Sequence, residues 1–236
     1  MAKAVFIMAT AFCSAFAGCG EPPAEPFVQK VPGTTVAFDM IPIDMDGGVV
    51  WMQETEVTWD QFDAFVYEDP GGDTDAITRP TQPYVAVDRG YGHSGFPALS
   101  MSFRAAQSYV DWLSMKTGRT YSLPTLAQWK AACGTKGGAW HRENAKRQSH
   151  AVASMEANEF GLFDMRGNVA EWATGSDGPV VIGGSFLDGP GEIGPGNVRL
   201  PTPEWNVSDP QIPRSPWWLA DAPFVGMRVV CKEKVQ

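Results

Sequence analysis

Twelve consecutive residues, Gly161-Leu162-Phe163-Asp164-Met165-Arg166-Gly167-Asn168-Val169-Ala170-Glu171-Trp172, constrain this chain more than any other stretch. Asp164 and Glu171 flank a glycine turn, and Phe163, Met165, Val169 and Trp172 around them are large apolar side chains that seek burial. Oxygen ligands can therefore converge from a loop that apolar anchors hold in place, the chemistry of a hard-cation site. A second reading has Asp164 and Glu171 capping turns or pairing with Arg166 and Arg228. A chain of 236 residues, 44% apolar and 11% aromatic, can bury such anchors in one sizeable core. Nine Trp, 25 Gly and 19 Pro then imply many turns around aromatic anchors, which suits an irregular α+β domain better than a bundle or a parallel sheet.

Hydrophobic periodicity predicts two strands, 36–43 and 49–57, joined by a turn at Asp46-Gly47-Gly48. Thr58 with Gln61 forms a capping-box pattern for a first helix that buries Phe62, Phe65 and Val66 and stops at Asp69-Pro70-Gly71-Gly72. Residues 73–97 show no periodicity and read as a long surface loop. Ser102 caps a second helix with Ala106, Tyr109, Val110 and Leu113 on one face and Gly118 as its stop. Thr125 with Gln128 opens a third, which turns Trp129, Ala132 and Cys133 inward. Strands are expected again at 180–186 and 226–231.

A formal charge of −9 leaves no basic face for nucleic acid. Between Lys30 and Arg79 lies an acidic stretch without a basic residue, which reads as a solvated face or a cation site. Lys3 followed by the apolar run Val5 to Ala17 reads as an export signal over 1–18. Phe16-Ala17-Gly18-Cys19 resembles the bacterial lipobox, which implies a lipid-modified Cys19; an ordinary cut after Ala15-Phe16-Ala17 is the alternative. The proline-rich segment 19–33 is then a tether to a membrane, and 34–236 is the folded domain. With Cys13 removed and Cys19 lipidated, Cys133 and Cys231 are left, and in an oxidising compartment they are expected to form a disulfide; a free reactive thiol is the other use.

The opening run resembles the G-L-Y-D-M-x-G-N-V-W-E-W motif of the formylglycine-generating enzymes, the sulfatase-modifying factors. Four further segments resemble the same family in the same order: Glu56-Val57-Thr58 with Phe62 and Phe65; Pro97 to Ser102 with Ala106, Tyr109, Trp112 and Leu113; Arg119 to Thr125 with Trp129; and Gly183-Gly184-Ser185-Phe186 with Gly226-Met227-Arg228. The resemblance spans about 36–232 and implies a variant of the C-type lectin fold, with short antiparallel sheets and few helices. It also implies a calcium site in which Asp164 and Glu171 supply carboxylates and Gly167 and Val169 backbone carbonyls. The family's other calcium site would start at Asn144 with the carbonyl of Ala145.

The family's oxidation of a sulfatase cysteine uses Cu(I) held by two thiolates, three and eight residues after the serine matching Ser185. Those positions here are Asp188 and Ile193, and soft Cu(I) needs sulfur. Ser185 and Asp188 thus mark the family's active-site neighbourhood without its ligands. A related branch uses three-histidine iron; His93, His141 and His150 lack its spacing, so neither copper nor iron is expected. Two functions stand: an exported, calcium-stabilised binding or scaffolding module at the cell envelope, or an oxidoreductase with a rebuilt metal site. For the module, Arg199, Trp205, Arg214, Trp217 and Trp218 form a candidate groove for a protein, peptide or glycan, unless these aromatics only pin the loop to the core. A monomer is expected, with the membrane reached through the anchor alone.

Overall fold

The computed structural model describes residues 24–68, 80 and 86–232. The signal segment, Cys19, the first part of the tether, the stop expected at 69–72 and part of the loop 73–97 (73–79 and 81–85) lie outside these residues. Two sheets and three helices make an α+β domain. The first sheet has strand order β1-β2-β3-β9-β4, from Phe27–Lys30, Ala37–Met45, Gly48–Gln53, Val230–Cys231 and Tyr121–Ser122; all its pairings are antiparallel. The second has order β7-β6-β5-β8, from Gly194–Arg199, Gly178–Gly183, Ala170–Gly175 and Val225–Gly226, with β5 and β8 parallel. The predicted hairpin is the β2–β3 pair, turning at Met45↔Gly48. β1 pairs with Ala37–Met40, so the sheet begins inside the stretch read as a tether.

Helices α1 (Trp59–Val66), α2 (Phe103–Thr117) and α3 (Leu126–Cys133) fall where the periodicity places them. Ser102 Oγ accepts from Ala105 N, Gly118 closes α2 in the left-handed region, and Thr125 with Gln128 forms a complete capping box. Thr58 differs: its side chain makes no cap bond. Gln61, its expected partner, is buried and accepts instead from Gln53 Nε2 at 2.9 Å. A buried amide that can satisfy itself in the core does not turn back to a helix end.

The strand expected at 226–231 is broken in two. β8 joins the second sheet and β9 the first, and Met227-Arg228-Val229 crosses between them with Arg228 0% exposed. The larger core gathers α1, α2 and one face of the first sheet around Trp59, Phe62, Tyr109 and Trp172. The smaller lies between the sheet's other face, α3 and β5–β6.

The expected disulfide is absent: Cys133 and Cys231 are both buried, and neither is in a disulfide. Strand alternation gives the reason. Trp51 pairs with Cys231 and Met52 with Val230, so Cys231 joins Trp51 in the larger core while Val230 and Met52 point the other way, toward Cys133. The two thiols sit on opposite faces of one sheet.

Candidate functional site

The loop before β5 is held by backbone conformations few residues tolerate. Asp164 and Asn168 have φ of 56° and 52° and Gly167 of 87°. A Cβ on Gly167 would lie 1.9 Å from the Trp140 carbonyl oxygen, so glycine is required. Asn168, fully buried, knits four segments together. Its N–H donates to Trp140 O at 3.0 Å, its Oδ1 accepts from His150 N at 2.9 Å, its Nδ2 donates to Glu56 Oε2 at 3.0 Å, and its carbonyl accepts from Phe186 N at 2.9 Å. The loop is therefore tied directly to the turn that carries Ser185.

Behind it lies a buried ionic network. Arg228 donates Nε and Nη2 to Glu171 Oε1 at 3.1 and 2.9 Å, Nη1 to the carbonyls of Gln53 and Glu54 at 2.9 and 2.7 Å, and Nη2 to that of Phe163 at 2.7 Å. Trp129 Nε1 donates to Glu171 Oε2 at 2.6 Å. Burial alone would lower the Arg228 pKa, but the facing carboxylates of Glu171, Glu56 and Asp164 raise it. Glu56, 0% exposed, accepts from Val169 N at 3.2 Å as well as from Asn168. Burial, then the nearby Asp164 and Glu171, hold its carboxyl well above the usual range. Asp164 is also raised, chiefly by burial, despite a 2.7 Å bond from Ala153 N to its Oδ2.

Three buried carboxylates thus face one guanidinium, and a cation or protons would complete the balance. Asp164 fits a calcium ligand in part: it is buried in the loop, and the bond from Ala153 N falls on Oδ2. Glu171 fits less well, because Arg228 and Trp129 already engage both its oxygens, so it could reach a cation only while sharing its carboxylate. Asn144 is committed elsewhere, building a turn through His141 N and the Ala139 carbonyl at 2.8 and 2.9 Å.

Asp188, where the resemblance implies the first copper thiolate, closes a clasp. Asp188 Oδ2 accepts from Ser185 N and Oγ at 2.8 and 2.9 Å and is ion-paired with Arg199. Its backbone carbonyl accepts from Arg142 N at 2.8 Å. Ser185 is buried and Ile193 is half-buried. Arg199 also bonds Asn197 Oδ1 at 3.0 Å and lies over the Phe224 ring at 5.0 Å.

The groove residues do not form one open surface. Trp217 and Trp218 are 1% and 6% exposed and belong to the larger core, Trp218 against Phe62 at 5.8 Å. Trp205 packs on Trp172 and Phe224. Only Arg214 of the set is exposed. Loop prolines around paired tryptophans read equally as groove or as anchor, and burial decides for anchor at Trp217 and Trp218.

The histidines are each engaged by a different set of neighbours. His93 bridges Asp63 and Asp88 at 2.7 and 3.2 Å and stacks on Trp59; His150 stacks on Trp140 at 3.7 Å; His141 Nδ1 accepts from Glu143 N at 3.3 Å. Among the described residues, no three His, Cys, Asp or Glu side chains come together as a metal cluster.

Glu56 and Asn168 are the members of this site that motif reading passed over as to role. An acidic residue directly before Val57 at the end of an apolar strand was the available signal for Glu56; nothing local marks Asn168 as a hub.

Comparison with known proteins fits this architecture. The sulfatase-modifying factor enzyme 1-like domain family matches residues 49–232. Solved structures with the same fold include Treponema denticola variable protein 1, with TM-score 0.63 and 18% identity over 88% of this chain and 99% of that one. PvdO from Pseudomonas aeruginosa gives TM-score 0.59 at 19% identity over 89% of this chain and 92% of that one, and CarF 0.55 at 18% over 90% and 96%. A serine/threonine-protein kinase, pkn1 of Chlamydia caviae, is 28% identical over 92 residues, which make up 34% of this chain and only 14% of the kinase. The fold is the α+β, C-type-lectin-like one of its structural neighbours, and the chain belongs to the family of sulfatase-modifying factor enzyme 1-like domains.

Proposed function

We propose that this is an exported, catalytically divergent member of its family that serves as a binding or scaffolding module at the cell envelope, anchored through Cys19. The observation that carries the reading is the Asp188 carboxylate, already committed to Ser185 and Arg199 where the family keeps a copper thiolate. An oxygen with three donors on it, with isoleucine at the other position, is not a ligand set for a soft metal. Calcium is proposed as the structural ion, bound through Asp164 and the carbonyls of Gly167 and Val169 with Glu171 sharing its carboxylate; its charge would offset the excess of buried carboxylates. The partner is a protein, peptide or glycan.

Metal analysis of the purified protein, with an assay for oxidation of a sulfatase cysteine peptide, tests this. Calcium without copper or iron, no oxidised peptide, and a lower thermal midpoint in EGTA are expected. Stoichiometric copper or iron, with turnover lost in Asp188→Ala, would overturn the reading in favour of an oxidoreductase. Mass spectrometry of the native N-terminus tests the anchor: an unmodified Cys19 removes it.

A further inference from the structure

Residues 88–96 cross between α1 and the turn that carries Ser185, and two side chains in the middle of the crossing cover buried rings. Tyr91 meets Phe186 edge-on at 5.4 Å, and His93 lies flat on Trp59, with ring centroids 5.2 Å apart and planes 11° from parallel. Phe186 is 0% and Trp59 1% exposed, and the Trp59 Nε1–H has no hydrogen-bond partner among the described residues. Both ends of the crossing are pinned. Arg89 donates Nε to Ser100 Oγ at 3.2 Å and Nη2 to the carbonyls of Leu219 and Ala220 at 3.1 and 2.9 Å. Gly95 donates its N–H to Asp60 Oδ2 at 2.7 Å and accepts from Val152 N at 2.9 Å. Between the pins, Gly90 and Gly95 have φ of 73° and 74°, so the stretch 90–94 has at each end a residue that tolerates a change of backbone direction.

The ring of His93 joins this stretch to α1 in a form that requires a proton. Its Nε2 lies 2.7 Å from Asp63 Oδ2 on α1, and its Nδ1 lies 3.2 Å from Asp88 Oδ2 at the start of the crossing. An ionised carboxylate can only accept, so both contacts are hydrogen bonds only when both ring nitrogens carry hydrogen. The neutral ring keeps one N–H and turns a lone pair on the other carboxylate. Stacking on Trp59 favours the same charged form. Burial lowers the pKa of the ring, and the bonds and charges of Asp63 and Asp88 more than reverse that. The other charged groups nearby are engaged elsewhere. Asp60 holds Gly95 N and Ser94 Oγ, Arg89 holds the carbonyls of Leu219 and Ala220, Asp221 accepts from Ser208 N at 2.7 Å, and His150 Nε2 meets the Ala145 carbonyl at 3.0 Å.

We propose that residues 90–94 are a pH-sensitive flap, closed by the doubly bonded His93 and released when that ring loses its proton, uncovering Trp59 and the edge of Phe186 beside the Ser185–Asp188 turn. Closure leaves the Trp59 N–H buried and unpaired, and release lets water reach it, so the proton on His93 can decide the balance. The closed flap binds the proton more tightly than the open one. Closure is therefore complete below the ordinary histidine value, about 6.5, and weakens as pH rises through the raised value of the closed form. This goes beyond the binding-module reading and holds whatever the domain binds.

Hydrogen exchange on the whole protein tests it at Tyr91 and Phe96, whose N–H groups donate to the carbonyls of Asp88 and His93 at 2.9 and 3.0 Å. Their protection, corrected for the intrinsic rate, should fall by about three- to tenfold between about pH 5.5 and about pH 9, tenfold corresponding to one pKa unit between the closed and open forms. Trp129, whose N–H donates to Thr125 O in α3, should keep its protection and so report that the fold is intact. His93→Gln should exchange at the lower pH as the wild type does at the higher and show no step. Asp63→Asn, which keeps the shape and removes the charge, should move the midpoint to lower pH. Flat protection at Tyr91 and Phe96 in the wild type, or a step that survives in His93→Gln, overturns the proposal. The metal and oxidation assays are independent of these outcomes, so failure here leaves the reading of the family site untouched.

Discussion

The Arg228 network and the Asp188 clasp are both carboxylate–guanidinium pairs, yet they sit in opposite solvents. Arg228 and Glu171 have side chains 0% and 1% exposed, whereas Arg199 and Asp188 are 30% and 18% exposed. In the first, each guanidinium nitrogen has a protein partner, and three of those partners are backbone carbonyls from two distant segments. In the second, one carboxylate oxygen orders a tight turn at the rim. The motif that names the family is thus written into the interior, where a change would unfold the domain. Asp188 and Ile193, the positions where the resemblance implies copper thiolates, lie at a partly wetted turn outside the core. Family membership and the proposed loss of copper chemistry can be tested apart, because they rest on differently buried residues.

The sharpest way to break that contrast is to remove Arg228. Arg228→Leu keeps much of the volume but strands Glu171, Glu56 and Asp164 and leaves the carbonyls of Gln53, Glu54 and Phe163 without their donor. Breaking a buried pair from one side costs about 3–5 kcal/mol. Urea unfolding should show a loss of that order; a change under 1 kcal/mol would mean that water or a bound cation already shares the load. Gly167→Ala comes next. With φ of 87° and a Cβ 1.9 Å from Trp140 O, the loop must shift, at about 2 kcal/mol or more. That variant should also lose calcium-dependent stabilisation if the loop holds the ion.

Asp188→Ala should cost less, about 1–2 kcal/mol, since it deletes two bonds to Ser185 and a half-exposed ion pair. A larger loss would place the clasp with the interior network and weaken the contrast drawn above.

How far the sequence could be read follows the same division. Helices α2 and α3 were legible because their caps are local: Ser102 and Thr125 each bond a residue three positions on. The hairpin at 46–48 was legible for the same reason. What failed depended on contacts far apart in sequence. Gln61 left its cap for Gln53, eight residues away, whereas the Glu171–Arg228 pair, 57 residues apart, was legible as one of two readings of the motif. The 226–231 strand split because its two halves serve different sheets, and that split places Arg228 at the seam. The disulfide expectation counted thiols, but strand parity put Cys231 on the wrong face. Composition cannot tell an anchor tryptophan from a binding one; only the packing of Trp217 and Trp218 does so.

The smallest expected effect is at His93, which bridges two surface carboxylates. Desolvation lowers its pKa, but hydrogen bonds and charge from Asp63 and Asp88 outweigh it and the net shift is upward. A histidine raised in the folded state stabilises fully below its unfolded value, about 6.5, and loses that stabilisation as pH climbs through the raised folded value. The ring is 47% exposed, so the amplitude should stay under about 1 kcal/mol and shrink in salt. Glu56 and Asp164, also raised, slope the whole curve the same way, so the histidine must be isolated by difference. Subtracting the pH profile of His93→Gln from that of the wild type leaves a step that starts near pH 6.5 and falls as pH rises. A step of the opposite sign would mean that burial against Trp59, 5.2 Å away in a stacked arrangement, governs this histidine rather than its two carboxylates.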